Sequence, residues 1–390
     1  MLQTDLNKTT RPLAGVRIVD FTRVLAGPYC TALMADLGAE VIKIEGPGGE
    51  DYRHVGPFRD GESLLFQTVN RGKRSVVLDL KSPRGQETIT SLLKTADVLI
   101  ENFRPGVMAK FGMDAETLCA AHPKLVYVSI SGFGHTGPNM AKPAYDIIVQ
   151  ALSGIMDVTG EREAPPTMVG EAIADVAGGL FAAFGTMVAL FDRERSGTGR
   201  HVDLGLFDAL LSMMPVVTCR ALLGDSPVIR TGNRHPLSAP FGVYAARDGN
   251  FAIAVLNNRL FETFCAAMNL PELARDPRFA TDQDRRTNEP QLAQVIENWA
   301  AGQNTTEVIA TLEANGIPCA PIQSVADAWA SPQAMARGLI SVVDHPSLGA
   351  LRIPEQPLHF SGAPRGGRSP APQLGEGNQE FCSQSDEVTK

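Results

Sequence analysis

Zinc and disulfide chemistry are the first things this sequence leaves out. Its six cysteines, at 30, 119, 219, 265, 319 and 382, are scattered through 390 residues with no Cys-x-x-Cys pair and no zinc-like Cys/His spacing. No metal site and no disulfide framework is implied, and reduced, mostly buried thiols in a cytoplasmic protein are expected. No Gly-x-Gly-x-x-Gly follows the first strand, and no P-loop, Gly-x-Ser-x-Gly elbow or His-Glu-x-x-His occurs, so the usual nucleotide, serine-hydrolase and zinc-protease signatures are missing. Positive charge is short as well. With 35 Lys and Arg against 43 Asp and Glu, the net charge is −8, which argues against a nucleic-acid partner. Any polyanionic ligand must meet a local basic cluster instead. The N-terminal MLQTDLNKTTRPLAG lacks the apolar run of a signal peptide, and the longest apolar stretch, 172–191, is broken by Asp175 and glycines. No membrane partner is expected.

What is present is an alternation of strands and helices. VRIVDF (16–21), VIKIE (41–45), SVVLDL (75–80), DVLIENF (97–103) and LVYVSISGF (125–133) read as buried strands. Helices between them are marked by Gly27-Pro28 and by Ser82-Pro83, because proline at the first helical position wastes no backbone donor. This order predicts an α/β fold with a parallel sheet covered on both faces, and ligands gather at the carboxyl ends of such strands. Helices over about 144–157 and 175–194 follow, then a strand at 200–204 and a helix over 205–216. A Gly, Pro and Ser-rich connection, a hairpin about Asp248-Gly249 and a helical region to about 315 form a smaller α+β domain. LRIPEQPLHF (351–360) reads as an edge strand. The expected division is 1–205 as the first part of the large domain, 206–240 as linker, 241–329 as the small domain, and 330–390 as the return to the large domain.

Three stretches could carry chemistry. Asp175 is the only charged side chain between Glu171 and Asp192, and isolating a carboxylate among apolar residues costs free energy unless it is paired. It reads as a helix N-cap and, compatibly with that, as a nucleophile kept ionised by the helix N-terminus. Gly178 and Gly179 then leave room for a bulky ligand. Arg104 and Lys110, with Arg71, Lys73 and Arg74, could gather phosphates, although NRGKR (70–74) equally reads as a solvated turn. SGFGHTGP (131–138) is a glycine loop in which His135 reads as a loop histidine. EGPGGED (45–51) reads as a surface turn.

At these residues the sequence resembles the class III coenzyme A transferases, which include formyl-CoA transferase and the carnitine and bile-acid CoA-transferases. The matching stretches are PLAGVRIVDFTRVLAGPYCT (12–31), LGAEVIKIEGPGGED (37–51), NRGKRSVVLDLKSPRG (70–85), ADVLIENFRPGVMAKFGM (96–113), YVSISGFGHTGP (127–138), PAYDIIVQALSGIM (143–156), the Asp175 segment, GTGRHVDLGLFDALL (197–211) and APQLGEGNQE (371–380). The resemblance implies a Rossmann-like large domain built from both chain ends, a smaller domain between them, and two interlocked subunits in a homodimer. It implies no prosthetic group, with coenzyme A and acyl-CoA as substrates. The family's nucleophile falls on Asp175, and its CoA contacts fall on Leu25, Ala26, Asn102, Phe103, Arg104 and Lys110. Matches around Leu80 and Phe133 are less specific. Residues 245–258 lack the glycine run that formyl-CoA transferase carries over its site, which weighs against formyl/oxalate specificity.

Two other functions compete. In α-methylacyl-CoA racemases of the same fold family a histidine precedes an Asp-Ile pair, whereas here Tyr145 precedes Asp146-Ile147; tyrosine is a far weaker base partner near neutral pH. A non-catalytic acyl-CoA-binding relative would tolerate loss of Asp175. Arg234 and His235, in GNRHPLSAPFG (232–242), could bind a second substrate carboxylate or could be polar linker residues. The first option makes succinyl-CoA a reasonable donor and a short dicarboxylate of the mesaconate, citramalate, itaconate or glutarate type a reasonable acceptor.

Overall fold

A computed structural model describes residues 10–224 and 227–382, which fall into two compact units: 10–155, 168–224 and 332–382 in one, and 156–167 with 227–331 in the other. The first unit is built on a parallel sheet of β1 (Arg17–Asp20), β2 (Glu40–Glu45), β3 (Lys73–Val77), β4 (Val98–Glu101), β5 (Val126–Ser131) and β6 (His201–Gly205). Their order in the sheet is β3-β2-β1-β4-β5-β6.

Alternation along the strands sends neighbouring side chains to opposite faces. Ile18, Val98, Val126 and Val128 pack on one face with Cys30 and Met34 of α1 (Ala26–Asp36). Val19, Leu99 and Tyr127 pack on the other with Ile89 and Leu92 of α2 (Pro83–Leu93) and Leu118 of α3 (Ala115–Ala121). Because both faces are covered, successive side chains of a central strand are all buried, as in Val98-Leu99-Ile100 of β4. Ser82 caps α2 by accepting from the Gly85 amide at 3.0 Å, and Pro83 opens the helix.

The first face also receives α4 (Asp146–Ser153), α5 (Ile173–Ser196) and α6 (Leu206–Ser212), through Val149, Ala174, Ala182 and Leu206. α5 is long and apolar enough by length and composition to cross a membrane, yet it packs along α1 and α6. Gly154, at φ +86°, ends α4 where one continuous helix over 144–157 was expected. Pro215 opens a separate α7 (Pro215–Leu223) after a break at 213–214, and both helices group with the first unit, where a linker over 206–240 was expected.

The second unit has its own antiparallel sheet of β7 (Phe241–Ala245), β8 (Asn250–Ala254) and β9 (Cys319–Pro321), in the order β9-β8-β7, with a core of Phe251, Phe261, Phe264, Leu292 and Ile296. Downstream, β10 (Ile340–His345) pairs with β11 (Gly349–Pro354) as a separate hairpin. The segment around 350 is therefore not an edge of the large sheet. The chain then returns to that sheet, where the Gly377 amide donates to Ser75 O at 2.8 Å and Asn378 Oδ1 accepts from the Val77 amide at 2.8 Å.

Candidate active site

The strand order places a topological switch beside β1. From β1 the chain runs outward through β2 and β3, then crosses back to lay β4 on the other side. The connections leaving β1 and β4 diverge there and open a crevice at their carboxyl ends, where ligands bind in such sheets. A cavity of about 150 Å³ lies at that point. Val24, Leu25 and Ala26, after β1, form one wall, and Asn102, Phe103 and Arg104, after β4, form another. Asn102 ties the walls together. Its Oδ1 accepts from the Arg23 amide at 2.9 Å, and its Nδ2 donates to Arg23 O at 2.7 Å.

Asp175 faces this cavity from the first turn of α5. It is not the N-cap that its composition suggested. Ala172 occupies that position without a side-chain bond, and the capping is done from α4 by Asp146. Asp146 Oδ1 accepts from the Ala174 amide at 2.7 Å and from the Asp175 amide at 3.3 Å. The helix donors are thus served by another residue. Burial pushes the Asp175 carboxyl up to about 7, with the Asp146 charge adding to the effect. Desolvation and a like charge outweigh the helix N-terminus, opposite to the expected balance. Tyr52 is pushed up to about 12 by burial and then by Asp175, so its hydroxyl remains protonated at neutral pH.

Gly178 and Gly179 serve helix packing rather than ligand room. A Cβ at 179 would lie 2.7 Å from Ala26 O, and one at 178 would lie 2.2 Å from Leu206 Cδ2. Gly179 lets α5 approach the start of α1, and Gly178 lets it approach Leu206 of α6. Gly179→Ala is expected to force the two helices apart against a rigid carbonyl. The cost should be about 1–3 kcal/mol, measured by denaturant unfolding, with a loss of activity at 25 °C while the protein is still folded.

The positive cluster is also different from its sequence reading. Arg71 and Lys73 are buried, neither solvated nor free for phosphates. Arg71 pairs with Asp36 at 2.6 Å, and Lys73 pairs with Asp20 at 3.1 Å. Arg74 pairs with Glu380. Lys110 is exposed on the 3-10 turn Met108–Phe111 and does not line the cavity. Arg234 bonds Glu289 at 2.6 Å, pairs with Glu297 at 3.6 Å and stacks over Tyr244. Its charge is already met by two carboxylates, which corrects the expectation that it is free for a third. His235 stacks on Phe241 at 4.4 Å. His135 donates its amide to Asp203 at 3.0 Å, as a loop histidine would. Gly132, Gly134 and Gly137 have dinucleotide-fingerprint spacing, but no helix starts among residues 132–145 to complete that motif.

Residues 13–378 match the family model described as CoA-transferase family III. The chain belongs to that family. It is 42% identical over 365 residues to an acetyl-CoA:oxalate CoA-transferase of Acetobacter aceti, covering 93% of this chain and 92% of the relative. It is 37% identical over 397 residues to a succinate–glutarate CoA-transferase of Agrobacterium fabrum, covering 99% of each. The crystal structure of a CaiB/BaiF family protein from Brucella suis superposes with a TM-score of 0.85 at 37% identity, covering 97% of this chain and 100% of that one. Family membership makes the chain a CoA-transferase, with CoA thioesters as substrates.

In this family III chain the cavity brings together Asp175, Leu25, Ala26, Asn102, Phe103 and Arg104, and it leaves out Lys110, Arg234 and His235. Phe133 is buried, with its ring 6.1 Å from that of Phe207, and Leu80 packs at the edge of the opposite core. Val24, Glu50, Tyr52 and the capping role of Asp146 escaped the sequence reading, as did Arg23 and Lys142, which line the cavity. Val24 has φ +68°, a left-handed conformation that costs a β-branched residue on the order of 1–3 kcal/mol. Only the acids of EGPGGED offered any hint of Glu50, and they read as surface.

Proposed function

We propose that the chain transfers coenzyme A from an acyl-CoA donor to a free dicarboxylic acid, through covalent intermediates on Asp175, as a homodimer. The observation that carries this reading is the Asp175 carboxylate. It is relieved of capping duty by Asp146, half-buried, and turned to the switch-point cavity. In the first step a carboxylate oxygen of Asp175 attacks the thioester carbonyl, the C–S bond breaks, and an acyl-aspartyl anhydride and CoA thiolate form. The thiolate then attacks the aspartyl carbonyl, releasing the donor acid and leaving an aspartyl-CoA thioester. The acceptor carboxylate attacks that thioester, giving a new anhydride and thiolate. The thiolate finally attacks the acceptor's acyl carbon, which frees Asp175. Each step exchanges one carboxylate or thiolate for another, so no redox group is required.

Each tetrahedral oxyanion needs donors. The first bond inside α1 runs from the Tyr29 amide to Leu25 O, so the amides of Leu25 and Ala26 have no partner within the helix. They border the cavity and are available for this role. Leu25, Ala26, Asn102, Phe103 and Arg104 are proposed as CoA contacts, with Lys110 as a peripheral one. The relatives named for oxalate and glutarate support a dicarboxylic acceptor, and the Agrobacterium enzyme's succinate supports succinyl-CoA as donor. The 42% identity to the oxalate enzyme keeps oxalate in the acceptor set despite the missing glycine run.

The exchange is tested by offering succinyl-CoA with oxalate, glutarate, mesaconate, citramalate and itaconate, then separating the CoA esters. Formation of at least one acceptor ester supports the proposal. Deuterium entering the substrate α-carbon without acyl exchange would favour the racemase reading. The free-enzyme kcat/KM should rise with pH as Asp175 ionises, reaching half its plateau near pH 7. Activity at pH 6 should be about tenfold below the plateau.

The homodimer has its own support. On α5, Leu180, Phe184, Val188 and Phe191 are 45%, 67%, 50% and 67% exposed. Their spacing of four, four and three residues forms one apolar stripe. Ile147, Ile148 and Leu152 on α4 are exposed too. Contiguous apolar surface of this extent marks an interaction face.

A further inference from the structure

Val24 sits between Thr22, which follows β1, and the Leu25–Ala26 amides, and its φ of +68° is one that glycine adopts freely and valine does not. Its amide donates to Glu50 Oε2 at 2.7 Å. Glu50 is held in turn. Its side chain is 4% exposed, its Oε1 lies 3.1 Å from Lys43 Nζ, and the same oxygen accepts from Asn70 Nδ2 at 3.2 Å. Lys43, fully buried, donates to Thr22 O at 2.8 Å. The Lys43–Glu50 pair therefore grips the loop at two points, the Thr22 carbonyl and the Val24 amide. Asn70 Oδ1 accepts from Lys73 at 2.8 Å, and Lys73 reaches Asp20 at 3.1 Å, so the grip is anchored to the end of β1.

We infer that Glu50 is a positioning residue for the transfer reaction: by accepting from the Val24 amide it holds that residue in its left-handed conformation and aims the following Leu25 and Ala26 amides at the carbonyl oxygen of the acyl group carried by Asp175. This rests on the nucleophile reading above. A buried ion pair of this kind could have served stability alone. Here one of its oxygens accepts at 2.7 Å from the single strained residue of the cavity wall, and at a longer 3.4 Å from the Tyr52 amide, where Glu50 caps the turn Asp51–His54. Small displacements of a site's donors cost far more in rate than in binding.

The test compares two double variants, Lys43→Met/Glu50→Gln and Lys43→Met/Glu50→Leu, so that neither leaves a buried charge unpaired. Glutamine keeps an acceptor for the Val24 amide, and leucine does not. The glutamine form is expected to exceed the leucine form by about 10²-fold in kcat, with KM for the CoA donor within about threefold. Adding Val24→Gly to the leucine form should restore at least about tenfold of kcat, because glycine reaches φ +68° without help. Equal kcat in the two double variants, a loss carried by KM alone, or no recovery on adding Val24→Gly would overturn the inference. Asp175→Asn is assayed alongside. If it still exchanges CoA, the nucleophile reading is what has failed, whatever the Glu50 variants do.

Discussion

Asp175→Asn is expected to lower CoA exchange by at least about 10⁴-fold, the scale on which losing a nucleophile is felt, while making the protein more stable above pH 7. Both effects have one cause. The carboxylate must be ionised to attack, yet its surroundings disfavour the charge and lift it from 3.8 to about 7. A carboxyl whose folded value lies above its unfolded one binds more protons in the folded state between those values, so stability falls as pH rises through that window. The penalty is absent below about pH 4, grows up to about pH 7, and is constant above. Asparagine has nearly the same shape and no charge to bury, so it should gain up to about 4 kcal/mol at pH 8 and almost nothing at pH 4. Urea unfolding of both proteins at the two pH values measures this. An equal difference at pH 4 and pH 8 would mean that Asp175 is not held at the cost described.

The second large effect concerns the α5 stripe. Phe184→Glu with Val188→Glu should convert a dimer of twice 41.7 kDa into a 41.7 kDa species by light scattering and abolish exchange. Each of these side chains contributes roughly 1.5–3 kcal/mol when fully buried. Each glutamate would instead carry an unpaired charge into an apolar contact, at a cost of several kcal/mol. Two such changes on one face exceed what a stable interface can absorb. A wild-type protein of 41.7 kDa in solution, or a doubly charged variant that still runs as a dimer, would remove the support for a homodimer.

Much of this architecture could be read from the chain because the signals were local. Ser82-Pro83 fixes the start of α2 with a cap and a proline, and Asp248-Gly249 turns β7 into β8. Apolar runs such as Val98-Leu99-Ile100 announced a sheet covered on both faces. What could not be read depended on pairing across distance. Arg71 and Lys73 look like a solvated turn until Asp36 and Asp20, more than thirty residues away in sequence, are brought against them. Asp175 has the composition of an N-cap, and only the arrival of Asp146 from α4 shows the cap to be filled already. The α4 break at Gly154 and the pairing of β10 with β11 were missed for a related reason. Neither a left-handed glycine nor a hairpin apart from the main sheet changes the hydrophobic period enough to be seen. Glycines 178 and 179 were noticed for the right property and given the wrong purpose, because their neighbours Ala26 and Leu206 are distant in sequence.

The nucleophile is most directly tested by trapping. The enzyme is mixed with succinyl-CoA, quenched with hydroxylamine or borohydride during turnover, digested, and mapped by mass spectrometry. The account predicts a single modified peptide from the 171–185 stretch, with the change on Asp175 and its absence in Asp175→Asn. A modification mapped to another residue, or an unmodified enzyme under conditions where CoA exchange is under way, contradicts it.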